Sequence, residues 1–162
     1  IAGAGLVGSL LGIYLAKRGY KVKIYERRSD MRKEKMAAGR SINLALSDRG
    51  IKALEEVGIM DEIRRIAIPM HGRYIHNADG TTAFQAYGKE GQFINSVSRG
   101  TLNCKLMDLA EQHGIEIYFN HKCDTIDWNN NTITFELQDG QHVIKNFELL
   151  FGSDGAFSAT RL

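Results

Sequence analysis

The feature that most constrains this chain is a run of three glycines at its start. Gly3, Gly5 and Gly8 have the spacing G-x-G-x-x-G. In this spacing the first glycine permits a tight turn, the second lacks a Cβ so that backbone can approach a pyrophosphate, and the third lets a helix pack closely on a strand. The N-terminus of the following helix offers free N–H groups and a partial positive charge to the anion. The pattern therefore predicts a dinucleotide-binding site.

The residues after the glycines are typical of a βαβ unit. Apolar side chains recur at helical spacing from Leu6 to Leu15, and Gly19 stands where a C-cap glycine is expected. Lys21–Tyr25 then alternates polar and apolar residues as a strand does. Glu26 follows, where an acidic side chain accepts hydrogen bonds from the adenosine ribose. A carboxylate there disfavours a 2′-phosphate, so NADP is not expected as the bound nucleotide, whereas FAD and NAD both fit the glycines.

A second turn motif lies near the other end of the chain. Gly152-Ser-Asp-Gly155 places the carboxylate of Asp154 on a turn, after Leu149–Phe151, which we interpret as a short buried strand. An NAD dehydrogenase would continue with regular βα repeats, whereas this chain becomes rich in β-strand patterns after Gly39. The two motifs together favour FAD, and we expect both turns to contact the same nucleotide.

Between the two motifs, helical and β-strand patterns alternate. Ser47 is expected to cap a helix that ends near Gly58, and a second helix is centred on Leu102–Ala110. Further predicted elements are the helix 61–67 and the strands 73–77, 81–85, 93–97, 115–119, 123–128, 132–137 and 142–147. These patterns predict an α/β fold with a Rossmann-like FAD-binding core and inserted antiparallel strands.

The domain organisation expected from these patterns is simple. Residues 1–162 are predicted to form a single, partial FAD-binding domain, in which residues 70–98 contribute the start of a substrate-binding sheet. The chain begins without Met and leaves almost no room for a first strand before the glycines, because strands usually have about five residues. We therefore expect a piece of a longer protein, truncated at both ends.

Composition excludes several classes of function. The formal net charge of +2 is too small to indicate nucleic-acid binding, and no run of about 18 apolar residues indicates a membrane span or a signal peptide. Cys104 and Cys123 are too few for a disulfide framework, which fits a reducing cytoplasm. The five histidines lack the spacing of a metal site, so no metal is expected.

Four further segments carry a specific resemblance. They are Gly39-Arg-Ser-Ile-Asn-Leu-Ala-Leu-Ser47, Pro69-Met-His-Gly-Arg-Tyr-Ile-His76, Tyr87-Gly88 and Ser96-Val-Ser-Arg99. In order and spacing they resemble the kynurenine 3-monooxygenase family of single-component flavoprotein hydroxylases, and the Asp154 turn resembles that of the wider hydroxylase group. The resemblance implies bound FAD, NADPH and dioxygen as co-substrates, and conversion of L-kynurenine to 3-hydroxykynurenine.

The resemblance also implies roles for individual residues. Arg40 would lie along the flavin, Arg99 would contact its phosphate–ribityl part, and the backbone of Cys123 would touch FAD. Asp154 would accept hydrogen bonds from cofactor hydroxyls, while Arg73 and Tyr87 would hold the α-carboxylate of the substrate. Arginine suits both tasks, since its planar guanidinium binds phosphate and carboxylate with paired N–H groups. No catalytic acid or base is expected, because the anilino nitrogen activates its own ring.

Two alternatives remain open at this point. The chain could belong to a flavin hydroxylase or reductase of the same fold with another aromatic or prenyl substrate, which explains the glycines, Glu26 and Asp154 but not Arg73 with Tyr87. It could also be a binding module without catalytic activity, which holds FAD weakly or not at all. Without the resemblance, Arg73 is a strand-edge arginine and Tyr87 a half-buried aromatic residue.

Overall fold

The computed structural model of the chain describes residues 1–33 and 42–161, and the fold has two units. The first unit combines Ile1–Ala38 with Asn103–Leu162, and the second is Gly39–Leu102. The segment 70–98, predicted to begin a substrate-binding sheet, lies wholly within the second unit.

The described residues contain four helices and ten short strands. The helices are α1 (Leu6–Ala16), α2 (Asp48–Glu56), α3 (Met60–Arg64) and α4 (Arg99–Gln112). The strands are β1 (Lys23–Tyr25), β2 (Asn43–Leu46), β3 (Ile68–Met70), β4 (Gly72–His76), β5 (Thr82–Ala86), β6 (Ile94–Ser98), β7 (Glu116–Tyr118), β8 (Lys122–Asp127), β9 (Thr132–Glu136) and β10 (His142–Asn146).

The first unit is built on parallel pairing. Ala2 bridges Tyr25 on one side and Gly152 on the other, and both bridges are parallel. Beyond Tyr25, β1 pairs in parallel with β7. Parallel neighbours require a crossover connection, and α1 supplies it between Ala2 and β1. The predicted Rossmann-like core with antiparallel insertions is confirmed.

The two faces of β1 are covered by different elements. The side chain of Ile24 is fully buried, and its Cδ1 lies 3.1 Å from the point where a Cβ on Gly12 would stand, so α1 packs on this face. The next side chain points to the opposite face. There the ring of Tyr25 stacks on Phe135 with the centroids 4.3 Å apart. Phe135 belongs to the central strand of an antiparallel meander with the order β10-β9-β8.

The second unit is antiparallel. One sheet has the order β2-β6-β3, and β4 with β5 forms a separate hairpin. Pro69 lies on the edge strand β3, where the lack of an N–H group is tolerated. Ser47 caps α2 as predicted, its Oγ accepting a hydrogen bond from the N–H of Gly50 at 3.4 Å. Leu54 and Ile63 contribute to the buried core.

One local prediction is wrong. The segment Leu149–Phe151 is not a buried strand: Leu149 is 63% exposed, and pairing is limited to the bridge at Gly152. The parallel pairing here is short and gives hydrogen-bond partners to only a few backbone groups. One of them is the Phe151 carbonyl, which accepts from the N–H of Ala2 at 2.9 Å. The predicted helix centred on Leu102–Ala110 is confirmed: α4 begins at Arg99, where the Oγ of Ser98 accepts from the N–H of Thr101 at 3.4 Å and so caps its first turn.

Substitutions at Gly12 should measure how tightly α1 packs on the sheet. Alanine there gains about 1 kcal/mol of helix propensity, which offsets contacts of 3.1 and 3.2 Å with the flexible ends of Ile24 and Ile115. We expect Gly12→Ala to be near neutral and Gly12→Leu to lower the free energy of unfolding by about 1–3 kcal/mol through overpacking. Urea denaturation of both variants tests this, and a neutral Gly12→Leu would contradict it.

Candidate functional site

The glycine loop joins the first bridge of the sheet to the start of α1. Gly3 has φ +100°, a left-handed conformation that favours glycine, and its N–H donates to the Tyr25 carbonyl at 2.7 Å. Gly5 is the N-cap of α1 and makes no side-chain capping bond, and the first turn of α1 contains no acidic residue. The N–H groups of that turn are therefore available to an anion from outside the helix.

The three glycines are required for different reasons. A Cβ on Gly8 would stand 1.9 Å from the carbonyl oxygen of Gly3, and a Cβ on Gly3 would stand 2.6 Å from the carbonyl oxygen of Ser153. Protein backbone therefore forces glycine at positions 3 and 8. A Cβ on Gly5 would meet nothing within 4 Å. The space beside Gly5 is open, as expected where a pyrophosphate approaches the backbone.

The Asp154 turn packs directly on the glycine loop. The N–H of Ser153 donates to the Ala2 carbonyl at 2.8 Å. The hydroxyl of Ser153 lies 2.9 Å from the carbonyl oxygens of both Ala2 and Gly3. The two turns paired in the sequence analysis are thus in contact, which is the arrangement that a shared ligand requires.

The carboxylate of Asp154 is held by the residues that follow it. Its Oδ2 accepts from the N–H groups of Ala159 at 2.8 Å and Thr160 at 3.1 Å, and its Oδ1 accepts from the Thr160 hydroxyl at 2.9 Å. Burial alone raises the pKa of Asp154, but hydrogen bonds from Ser158 and Thr160 outweigh this effect and lower the pKa below its usual value. These four donors, two backbone N–H groups and the hydroxyls of Ser158 and Thr160, keep Asp154 ionised and fix its orientation beside the glycine loop.

Glu26 connects β1 to the glycine loop. Its Oε2 accepts from the N–H of Ala4 at 2.9 Å, and its Oε1 accepts from the N–H and the Nε of Arg28 at 3.0 and 2.8 Å. Glu26 is buried, with 4% of its surface exposed. Burial raises the pKa of Glu26, yet the bonds from Arg28 and Ala4 outweigh it, and the net pKa is lowered. Glu26 therefore carries its negative charge beside the loop, with Arg28 as its partner.

Cys123 lies on the same unit, near Asp154. It occupies β8 opposite Phe135, just before an irregularity in the pairing of β8 with β9. Burial raises the pKa of its thiol to about 11, and the charges of Asp154 and Asp124 add to the effect. A thiol with a raised pKa stays protonated at neutral pH and is a poor nucleophile. The predicted cofactor-binding residues of the first unit are thus Gly3, Gly5, Gly8, Glu26, Cys123 and Asp154.

The two predicted substrate residues lie on the hairpin of β4 and β5. Arg73 is opposite Gln85, and its Nε donates to the Gln85 Oε1 at 2.8 Å. The N–H of Tyr87 donates to the carbonyl of His71 at 2.9 Å, which continues the pairing by one further step. Side chains directly opposite each other in an antiparallel pair share a face. Arg73 and Tyr87 are therefore diagonal neighbours on one face of the hairpin, and both are exposed.

Of the two remaining predicted arginines, Arg99 and Arg40, the structure describes only Arg99. Arg99 is the first residue of α4, its side chain is exposed, and its N–H donates to the Ile42 carbonyl at 3.0 Å. Arg40 lies outside the described residues. Within the described ranges no group of histidine, cysteine, aspartate and glutamate side chains could hold a metal ion.

Sequence reasoning missed two residues of this site. Arg28 is the partner of Glu26, and an arginine two positions after an acidic residue at the end of a strand is a signal that could have revealed it. Ser153 fastens the late turn to the early loop, but only its position before Asp154 marks it in the sequence. Its role depends on contact with Ala2 and Gly3, which are distant in the chain.

These features fit an adenine dinucleotide. The open space at Gly5 and the free first turn of α1 suit a pyrophosphate, while Glu26 and Asp154 are charged acceptors for hydroxyl groups. The sequence profile of the FAD binding domain family matches residues 1–162. The chain belongs to this family.

Individual relatives agree with the family assignment. The chain is 49% identical over 162 residues to "Kynurenine 3-monooxygenase" of Flavobacterium johnsoniae and 48% identical over 162 residues to the protein of that name from Christiangramia forsetii. Each match covers 99% of this chain and 36% of the relative, so the chain spans about a third of the length of these proteins.

A solved structure shows the same fold. The crystal structure of the flavin-dependent monooxygenase PieE in complex with FAD and substrate matches with a TM-score of 0.76 and 17% sequence identity, covering 98% of this chain and 30% of that one. At this level of identity the likeness concerns the fold. Among the described residues of this FAD-binding domain, no helix has the length and apolar character needed to cross a membrane.

Alanine at Gly8 and at Gly5 should separate folding from nucleotide binding. Gly8→Ala places a Cβ against backbone that cannot move aside, so we expect it to lower the free energy of unfolding by about 3 kcal/mol or more. Gly5→Ala meets open space and should cost about 0.5–1 kcal/mol through the weaker N-cap. Its Cβ projects toward the expected pyrophosphate, however, and should weaken FAD binding at least about tenfold.

Urea denaturation and quenching of flavin fluorescence measure the two effects. Gly5→Ala serves as the folding control for Gly8→Ala, because both substitutions add one methyl group to the same loop. A Gly5→Ala variant with undiminished FAD affinity would contradict the position assigned to the pyrophosphate.

The pH dependence of stability should report the charge of Glu26. Its pKa in the folded chain is below the ordinary value of 4.5, so its contribution is fully present above that value and is lost as the pH falls through the folded pKa. We expect Glu26→Gln to lower the free energy of unfolding by about 2 kcal/mol at pH 7 and by less at about pH 3. Equal losses at both pH values, measured by urea denaturation, would argue against a charged Glu26.

Proposed function

We propose that this chain is the FAD-binding part of an NADPH-dependent monooxygenase that converts L-kynurenine to 3-hydroxykynurenine. The observation that carries the proposal is the contact between the glycine loop and the Asp154 turn, made by Ser153. This contact brings the loop expected to bind the pyrophosphate next to Asp154, a charged hydrogen-bond acceptor. One extended flavin nucleotide requires both. The names of relatives 42–49% identical to the chain support the substrate.

Each of the predicted cofactor-binding residues would contact a different part of FAD. The backbone at Gly3, Gly5 and Gly8, with the first turn of α1, would hold the pyrophosphate. Glu26 would accept from the adenosine ribose, and the backbone of Cys123 would lie against the same half of FAD. Asp154 would accept from hydroxyls of the cofactor. Arg40 would lie along the flavin, and Arg99 would contact its phosphate–ribityl part, where a guanidinium suits phosphate charge.

Arg73 and Tyr87 would bind the amino-acid end of the substrate. A carboxylate is held best by a charge-assisted pair of hydrogen bonds from arginine, and a tyrosine hydroxyl can add another. The register of β4 and β5 supports this role, since it puts both residues on one face of the hairpin. By fixing the carboxylate, the pair would set the distance between the aromatic ring and the flavin.

FAD, once reduced by NADPH, supplies the chemistry that activates dioxygen for transfer to the ring. The chain's own residues bind, orient and exclude water rather than move protons, and none is assigned as a general acid or base. The unpaired cysteines, Cys104 and Cys123, support a cytoplasmic location, where thiols stay reduced.

The experiment that tests the substrate uses an enzyme of the length of the curated relatives that contains this chain. NADPH oxidation should be stimulated by L-kynurenine and not by phenolic acids. In the same enzyme, Arg73→Ala should raise the KM for L-kynurenine by about 10–100-fold, because a charge-assisted bond to the carboxylate is lost, while the FAD content remains normal.

Gln85→Ala is the matched control, since it removes the neutral neighbour of Arg73 on the same face of the hairpin. Its KM should stay close to that of the unmodified enzyme. Loss of FAD from Arg73→Ala without a change in KM would refute the assignment of Arg73 to the substrate. Stimulation by a phenolic acid alone would favour a hydroxylase with a different aromatic substrate.

A further inference from the structure

The segment after Glu26 is held on helix α4 by the guanidinium of Arg32, and the Nδ2 of Asn103 adds a bond to the Sδ of Met31 at 3.2 Å. The guanidinium of Arg32 donates to both oxygens of Asp30, with Nε–Oδ1 at 2.8 Å and Nη2–Oδ2 at 2.9 Å. It also donates to Asp108 at 2.9 Å and to the two oxygens of Glu111 at 2.6 and 3.1 Å. An arginine side chain has about five N–H donors, so these bonds use its full capacity.

The surroundings of Arg32 make these bonds effective. Its side chain is 18% exposed and that of Asp30 is 9% exposed, so water screens this pair weakly. The guanidinium also lies over the ring of Phe119, 5.5 Å from its centroid. Hydrogen bonds to Asp30 lower the pKa of that carboxyl group, which therefore stays charged at neutral pH. Three carboxylates, those of Asp30, Asp108 and Glu111, share the single positive charge of Arg32. Loss of Arg32 would therefore leave three negative charges close together.

The same segment is held on its other side by the loop after β7. The N–H of His121 donates to the carbonyl of Glu26 at 2.9 Å, and the N–H of Asn120 donates to the carbonyl of Arg28 at 3.0 Å. These bonds fix the start of the segment, whereas Arg32 fixes its end on α4. The first attachment is thus made at Glu26 and Arg28 themselves, and the second follows at Arg32.

The position of Glu26 in turn affects the glycine loop. Its Oε2 accepts from the N–H of Ala4, and its Oε1 is held by Arg28. A segment released from α4 would leave the backbone of Arg28 restrained only by the bond from Asn120, and this would loosen the two bonds that the N–H and the Nε of Arg28 make to the Glu26 carboxylate. Arg32 is therefore connected to the loop that the pyrophosphate would contact, first through the backbone from Arg32 to Arg28 and then through the hydrogen bonds of Glu26.

We propose that Arg32 is a positioning residue for the adenosine half of the cofactor, which it serves by holding Glu26 and Arg28 in place through Asp30, Asp108 and Glu111. The inference rests on the proposed binding of FAD. It assigns Arg32 no contact with the nucleotide itself. It also implies selectivity, because ligands with an adenosine group should depend on Arg32 and ligands without one should not.

The test compares FAD, ADP and FMN as ligands of the 162-residue chain and of its Arg32→Met and Arg32→Lys variants. We expect Arg32→Met to raise the Kd for FAD and ADP about tenfold and to leave the Kd for FMN within about twofold. Arg32→Lys keeps the charge but loses the paired geometry, so it should lie between the two. Flavin fluorescence reports FAD and FMN, and calorimetry reports ADP.

Arg64→Met is the matched control. Arg64 also bonds to two carboxylates, those of Asp61 and Glu55, but it is exposed and lies in the second unit. This variant should bind all three ligands as the unmodified chain does. Glu111→Gln provides a milder second test, since it weakens two of the bonds at an exposed end of the cluster and should raise the Kd for FAD about threefold. It also keeps the inference testable if Arg32→Met does not fold.

The outcomes distinguish this inference from the function on which it rests. An unmodified chain that binds neither FAD nor ADP would overturn both. An unmodified chain that binds FAD, with variants at Arg32 that bind it equally well, would overturn the positioning role alone. Equal weakening of FAD, ADP and FMN, together with a lower melting temperature, would show a purely structural role and would also overturn it.

Discussion

The fold of the first unit depends on the bonds between Ser153 and the start of the chain. The hydroxyl and the N–H of Ser153 are directed to the carbonyls of Ala2 and Gly3, and the sheet is continuous only because Ala2 pairs with Tyr25 and Gly152 at once. This contact leaves no volume for a side chain at position 3 or 8. The spacing of the glycines is thus set from outside the loop as well as by its own turn.

The sequence was sufficient for features that depend on local periodicity. The helix α1, the strand β1 and the meander follow from the spacing of apolar residues, and the helix α2 follows from its serine cap. Features that depend on distant partners were not visible. The bonds of Arg32 to Asp108 and Glu111, and those of Ser153 to the glycine loop, join residues far apart in the chain. The exposure of Leu149 was missed for a related reason, because an apolar run resembles a buried strand whichever neighbours it has.

The candidate site shows the same division. Glycine spacing and the carboxylates at Glu26 and Asp154 were predictable, since the chemistry of a nucleotide requires those residue types near a βα turn. The relation of Arg73 to Tyr87 was not, because it comes from the register of β4 and β5. A shift of that register by one residue would turn the two side chains to opposite faces, whatever their identity. The residue types are thus encoded locally, and their convergence is encoded by pairing.

The bond from the Ser153 hydroxyl to the Ala2 carbonyl spans 151 positions, which has a consequence for synthesis in the cell. A ribosome that adds about 5–20 residues per second takes roughly eight to thirty seconds to make that stretch. During this interval the glycine loop emerges without the strand edge that later closes against it. Until then the nascent βαβ segment has an unpaired strand edge. The cofactor can therefore be bound by both turns only late in synthesis, after the Asp154 turn has been made.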